Sequence, residues 1–67
     1  PQAGVVINAA NEVGVEAFLN GDISFFDISK ITLSSYEKFQ DISLQNFNDI
    51  FEVDKEVRKF AKEMICY

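Results

Sequence analysis

Apolar and small residues in the first third of the chain recur at helical spacing. The stretch Ala9–Leu19 consists mainly of good helix formers, and Asn20 and Gly21 follow it as a typical helix end. Asn8 precedes the stretch and is predicted to be its N-cap, because its side chain can accept a hydrogen bond from a free N–H of the first turn. Gly14 inside a helix costs about 1 kcal/mol relative to alanine, so we expect another helix to approach closely there.

A second helix is predicted to begin after Ser24. This residue is the candidate N-cap, and Asp27 three positions later takes the place of the glutamate of a capping box. Ile23 and Ile28 stand at the positions of a hydrophobic staple. The helix is predicted to run to about residue 39, because its core-facing positions then recur at helical spacing: Ile28, Ile31, Ser35 and Phe39.

The rest of the chain is predicted to form two further helices. Ser43 repeats the capping pattern and begins a short helix that ends near Phe51, with Ile42 and Phe47 as the staple pair. Asp54 is predicted to cap the last helix. Its apolar residues follow the i, i+3, i+4, i+7, i+8 pattern: Val57, Phe60, Ala61, Met64 and Ile65.

These elements define the expected architecture. No segment alternates between apolar and polar residues over a strand's length, and only residues 4–7 could be extended. A chain of 67 residues has room for one core, so we expect residues 1–67 to form a single domain. The sequence therefore predicts an all-α fold, a small bundle of about four helices with short connections, packed around its seven phenylalanines.

The charge distribution argues against anionic partners. The net charge is −5, and residues 1–29 contain acidic side chains but neither lysine nor arginine. Such a surface repels phosphate backbones and anionic lipids, so we expect no nucleic-acid partner and no membrane partner. The basic run is interleaved with acidic residues and is predicted to be a solvated helix face: Lys55, Arg58, Lys59 and Lys62. On this face Asp54 and Arg58, four positions apart, are spaced for a weak surface ion pair.

Candidate reactive groups find no partners in the sequence. Glu12 and Glu16 share a helix face and could bind a cation or act as an acid–base pair, but a di-iron site of this type needs histidines, and the chain has none. The serines lack a histidine partner, and the glycines fit no phosphate-binding motif. Cys66 is the single cysteine, so it favours a reducing compartment, and we expect a cytoplasmic location. We expect Glu12 and Glu16 to be surface residues.

The run Ile7–Val13, Ile-Asn-Ala-Ala-Asn-Glu-Val, resembles the Asn-Ala-Ala-Asn-Glu signature in the C-terminal domain of 1-deoxy-D-xylulose 5-phosphate reductoisomerases. Ile23-x-Phe25-x-Asp27-Ile28 resembles the family's next helix start, and Asp54-x-x-x-Arg58-x-x-Ala61 resembles its last helix. Gly14 departs from the expected alanine. The resemblance spans nearly the whole chain.

The resemblance implies a parent enzyme that rearranges 1-deoxy-D-xylulose 5-phosphate and reduces the product with NADPH to 2-C-methyl-D-erythritol 4-phosphate, in non-mevalonate isoprenoid biosynthesis. It implies a divalent metal, Mg²⁺ or Mn²⁺, and a homodimer. No position here matches the family's catalytic, NADPH-binding or metal-binding motifs, so none is assigned, and this fragment is expected to bind no cofactor. Its implied partner is the preceding catalytic domain of the same chain. Asn8, Asn11 and Glu12 are expected to cap the first helix and to hydrogen-bond a neighbouring segment.

Two other functions stay open at this point. A freestanding helical module could present an apolar groove to a partner helix, and a small metal-binding domain could use Glu12 and Glu16. Because the chain begins at Pro1 and its first residues look like a protein interior, we expect a C-terminal fragment of a larger enzyme. Such a fragment could expose a surface that normally meets the other domains.

Overall fold

The first helix begins well before the predicted cap. In the computed structural model, which describes residues 2–42 and 47–65, α1 spans Gln2–Leu19. Residues 4–7 are helical rather than extended, and the predicted N-cap Asn8 is wrong because this residue is exposed within α1. The physical reason is a buried stripe that starts at Val6 and continues at helical spacing through Ala9, Ala10, Val13 and Ala17.

The second helix confirms the predicted start and end. Helix α2 spans Phe25–Phe39. The backbone N–H of Asp27 donates to Ser24 Oγ at 3.3 Å, and the backbone N–H of Ser24 donates to Asp27 Oδ2 at 3.0 Å, which is the predicted capping box. Gly21 has a φ of 81°, a left-handed value that favours glycine, so its predicted role in ending α1 is also confirmed.

The two C-terminal helices predicted from the sequence are one helix in the structure. Helix α3 spans Phe47–Ile65, so the described residues form three helices and not four. Asp54 lies inside α3, and its predicted capping role is wrong. Neither glycine nor proline interrupts the helix, and Val53 and Val57 carry one buried stripe past Asp54. The other predicted cap, Ser43, lies outside the described residues.

The core is built from small aliphatic residues. Helix α1 packs against both α2 and α3, and the buried core cluster consists of Val6, Ala9, Ala10, Val13, Ile31, Phe39, Val53, Val57 and Ala61. Among the phenylalanine side chains that the structure describes, only Phe39 belongs to that cluster and Phe60 packs against it, so the prediction of a core built around the phenylalanines is wrong. Alanine and valine let helix backbones approach closely, which leaves little space for rings between them. The predicted close approach at Gly14 is confirmed, because a Cβ added there would lie 3.2 Å from Ile28 Cγ2.

Aromatic contacts join α2 to α3. The rings of Phe39 and Phe60 meet edge to face, with centroids 5.9 Å apart. Lys38 Nζ lies 5.4 Å from the Phe60 ring centroid and 5.9 Å from that of Phe39, within the range of a cation–π interaction. The predicted apolar face of the last helix is confirmed, since Val57 and Ala61 are buried while its other members pack against the core from its edge.

Candidate functional site

Arg58 connects α1 and α3 across the surface of the bundle. Its Nη2 donates to Glu12 Oε1 at 2.6 Å, and its Nε donates to Asp54 Oδ2 at 2.9 Å. Asp54 precedes Arg58 by one helical turn on α3, as the sequence spacing predicted, whereas Glu12 comes from α1. One guanidinium therefore holds a carboxylate of its own helix and a carboxylate of its neighbour.

The two carboxylates of this network stabilise the charge of Arg58. Its hydrogen bonds to Asp54 and then to Glu12 raise the pKa of the guanidinium, and partial burial opposes them only in part. The Arg58 side chain is 33% exposed and that of Glu12 is 58% exposed. Ion pairs with this exposure contribute about 0.2–1 kcal/mol each, so the network orients α3 against α1 more than it stabilises the fold.

Glu12 and Glu16 remain one turn apart on α1 but differ in their contacts. Glu16, the proposed partner of Glu12, is exposed on α1, while Glu12 is engaged with Arg58. The prediction that Glu12 hydrogen-bonds a neighbouring segment is confirmed, and its expected part in capping the first helix is wrong, because it lies well inside α1. Lys55, Lys59 and Lys62 are exposed, as predicted for a solvated face. Arg58 departs from that face and enters the interhelical ion pair.

The structure places the candidate serines in different environments. Ser24 caps α2. Ser35 is fully buried on α2, and its hydroxyl has no hydrogen-bond partner. Ser29 is exposed one and a half turns before it, and Ser34 is half-buried. Ser43 and Cys66 lie outside the described residues.

An exposed aromatic cluster at the α1–α2 turn was missed by the sequence analysis. We define the aromatic patch as Phe18, Phe25 and Phe26, which are 38%, 66% and 81% exposed. Ring centroids are 5.8 Å apart between Phe18 and Phe25 and 6.3 Å apart between Phe25 and Phe26, with edge-to-face geometry in both pairs. A sequence signal existed, because Phe25 and Phe26 are adjacent in a helix and cannot both face one core.

Within residues 2–42 and 47–65, no three or more side chains of the metal-binding types lie together in a group that could hold an ion. In the same part of the chain, no helix combines the length and the apolar character needed to cross a membrane.

The helices, the interhelical ion pairs and the aromatic patch define a small all-helical domain whose described side chains act through packing and charge pairing. The chain belongs to the DXP reductoisomerase C-terminal domain family, whose sequence profile matches residues 1–60. The family resemblance drawn from the Asn-Ala-Ala-Asn-Glu run is thereby confirmed.

Similar curated proteins carry the name 1-deoxy-D-xylulose 5-phosphate reductoisomerase. The protein from Campylobacter curvus is 54% identical over 59 residues, which are 88% of this chain and 16% of the relative. The protein from Nautilia profundicola is 45% identical over 62 residues, 92% of this chain and 17% of the relative. That from Haemophilus influenzae strain PittGG is 46% identical over 63 residues, 94% of this chain and 16% of the relative. The chain thus spans about one sixth of their length. No solved structure matches it.

Proposed function

We propose that this chain is the C-terminal structural domain of an enzyme that converts 1-deoxy-D-xylulose 5-phosphate to 2-C-methyl-D-erythritol 4-phosphate with NADPH and a divalent metal. The enzyme is proposed to be a cytoplasmic homodimer. The observation that carries the proposal is the family match over residues 1–60, together with relatives named for the rearrangement and reduction.

The role proposed for this domain is to support the catalytic domain mechanically. What supports this role is the chemistry of the described side chains. The best-placed polar cluster consists of Glu12, Asp54 and Arg58, and its charges are already paired with one another. Pairing at 2.6 Å occupies Glu12 Oε1 with Arg58 Nη2, so this cluster joins two helices and is not open to a substrate.

NADPH and the metal are proposed to be bound by the remainder of the enzyme. Glu12 and Glu16 do not fit a metal site. Arg58 already engages Glu12, which leaves one carboxylate, that of Glu16, to bind an ion. Divalent metals such as Mg²⁺ are bound by several oxygen ligands together. We therefore assign no step of the reaction to residues of this chain.

Two measurements test the proposal. The full-length enzyme is expected to consume NADPH when 1-deoxy-D-xylulose 5-phosphate and Mg²⁺ or Mn²⁺ are supplied, and an inactive full-length protein would contradict the assigned reaction. In calorimetry, residues 1–67, folded as judged by circular dichroism, are expected to give no heat with NADPH, while the full-length enzyme gives a clear one. Heat of NADPH binding from residues 1–67 alone would contradict the structural role.

A further inference from the structure

The aromatic patch is arranged as a contact surface and not as part of the core. Phe18 comes from the last turns of α1, and Phe25 and Phe26 come from the first turn of α2. Their rings contact each other in sequence across the turn, so they form one continuous apolar surface. Leu19, next to Phe18, is 76% exposed and extends the apolar character of the turn. A contiguous apolar patch that remains open to water is often an interaction site.

We propose that the aromatic patch docks this domain onto the remainder of its own reductoisomerase chain. This inference rests on the proposed function, since it takes the other domains of the enzyme as the occupant. The matched relatives supply the scale: this chain corresponds to 16–17% of their length, so five sixths of such an enzyme lies outside it.

The area of the patch fits a contact between domains better than a contact between two copies. With 150–250 Å² of surface for each phenylalanine, the exposed fractions leave roughly 300–450 Å² of aromatic surface. A stable dimer usually buries about 800 Å² on each partner. Contacts between domains of one chain bury about 600–1,500 Å² in total, or about half of that on each side. The area of the patch therefore lies within the range of a contact between domains, and it falls well short of the area that each partner buries in a stable dimer.

The position of the patch gives the docking a mechanical consequence. Phe18 lies near the C-terminal end of α1. At 1.5 Å per residue it is about 24 Å along the helix axis from Gln2, the first residue of the helix. A contact at that end restrains the orientation of α1 over most of its length. Because α1 packs against both α2 and α3, the restraint passes from α1 to the other two helices. Docking at the patch would thus fix the whole bundle and not only its turn.

The experiment uses the full-length enzyme with one new thiol. Phe26→Cys places a thiol in the patch, and Ser29→Cys places one beside it, one turn after Phe25, without removing a ring. The matched control is Glu52→Cys on α3, which is exposed in this structure. All three carry Cys66→Ser. Maleimide labelling of each thiol is followed by peptide mass spectrometry in native and urea-denatured enzyme, and NADPH consumption is measured on the same samples.

We expect the native labelling rate, relative to the denatured rate, to be roughly tenfold or more lower at the patch thiols than at the Glu52→Cys control. Protection of the Ser29→Cys thiol without protection of the Phe26→Cys thiol also supports docking, because the Phe26→Cys variant has lost one ring of the patch and would dock more weakly. Labelling of both patch thiols as fast as the control in an active enzyme would overturn the docking proposal and leave the proposed function standing. An inactive enzyme would count against the proposed function instead.

Cross-linking in dimers assembled from light and heavy isotope-labelled chains tests for a second copy. Cross-links from the Ser29→Cys thiol to lysines outside residues 1–67 are expected to join peptides of the same isotope. Cross-links that join light to heavy peptides would overturn the proposal, because the occupant would then be the partner subunit.

Discussion

Replacing Ser35 with alanine should stabilise the isolated chain. The Ser35 side chain is fully buried on α2, and its hydroxyl lacks a hydrogen-bond partner. An unpaired buried hydroxyl costs about 1–3 kcal/mol of desolvation, and alanine exceeds serine in helix propensity by about 0.5 kcal/mol. The missing oxygen leaves a void of roughly 10 Å³, which costs only about 0.2 kcal/mol. The net expected gain is about 1–3 kcal/mol in the free energy of unfolding.

Ser29→Ala is the matched control, because Ser29 is exposed on the same helix and the substitution is chemically identical. For a domain of this size, a gain of 1 kcal/mol raises the Tm by about 4–8 °C. Thermal unfolding followed by far-UV circular dichroism should therefore give a Tm for Ser35→Ala at least about 4 °C above that of the parent chain, and clearly above that of Ser29→Ala. If Ser35→Ala gains no more than Ser29→Ala, the hydroxyl is satisfied in solution and the reasoning is refuted.

Two further substitutions test the polar contacts. Glu12→Gln should lower the free energy of unfolding by about 0.2–1 kcal/mol more than Glu16→Gln, because both remove one charge from α1 but only Glu12 pairs with Arg58. In urea unfolding the difference should shrink at high salt, and equal effects of the two variants would contradict the ion pair. Hydrogen bonds from the backbone and then the side chain of Ser24 hold the pKa of Asp27 below its ordinary value of 3.8. A lowered pKa contributes stability above 3.8 that is lost as the pH falls through the folded-state pKa. The free energy of unfolding of the parent chain should therefore exceed that of Asp27→Asn at neutral pH, and the difference should shrink as the pH falls through the folded-state pKa of Asp27. A difference that does not change in acid would argue against the charged capping box.

The parts of the site that sequence reasoning reached are those with short-range causes. The Ser24–Asp27 capping box and the Asp54–Arg58 pair each join residues three or four positions apart, so helical geometry brings their atoms together. The Glu12–Arg58 contact spans 46 positions and depends on how α1 packs against α3. The sequence indicated a structural role for Glu12 but offered no means of choosing its partner.

By itself, the amino-acid sequence determined the all-helical class, the limits of α2, the left-handed Gly21 and the family, because each depends on local backbone preference or on a short run of residues. Tertiary packing decided the rest. It extended α1 back through residues 4–7 to bury Val6, and it carried α3 through Asp54 to keep Val53 and Val57 on one stripe. It also buries mainly alanine and valine side chains in the core and leaves those of Phe25 and Phe26 exposed to solvent. Burial of an aromatic ring is favourable, but the space between three closely packed helices decides which side chains can be buried.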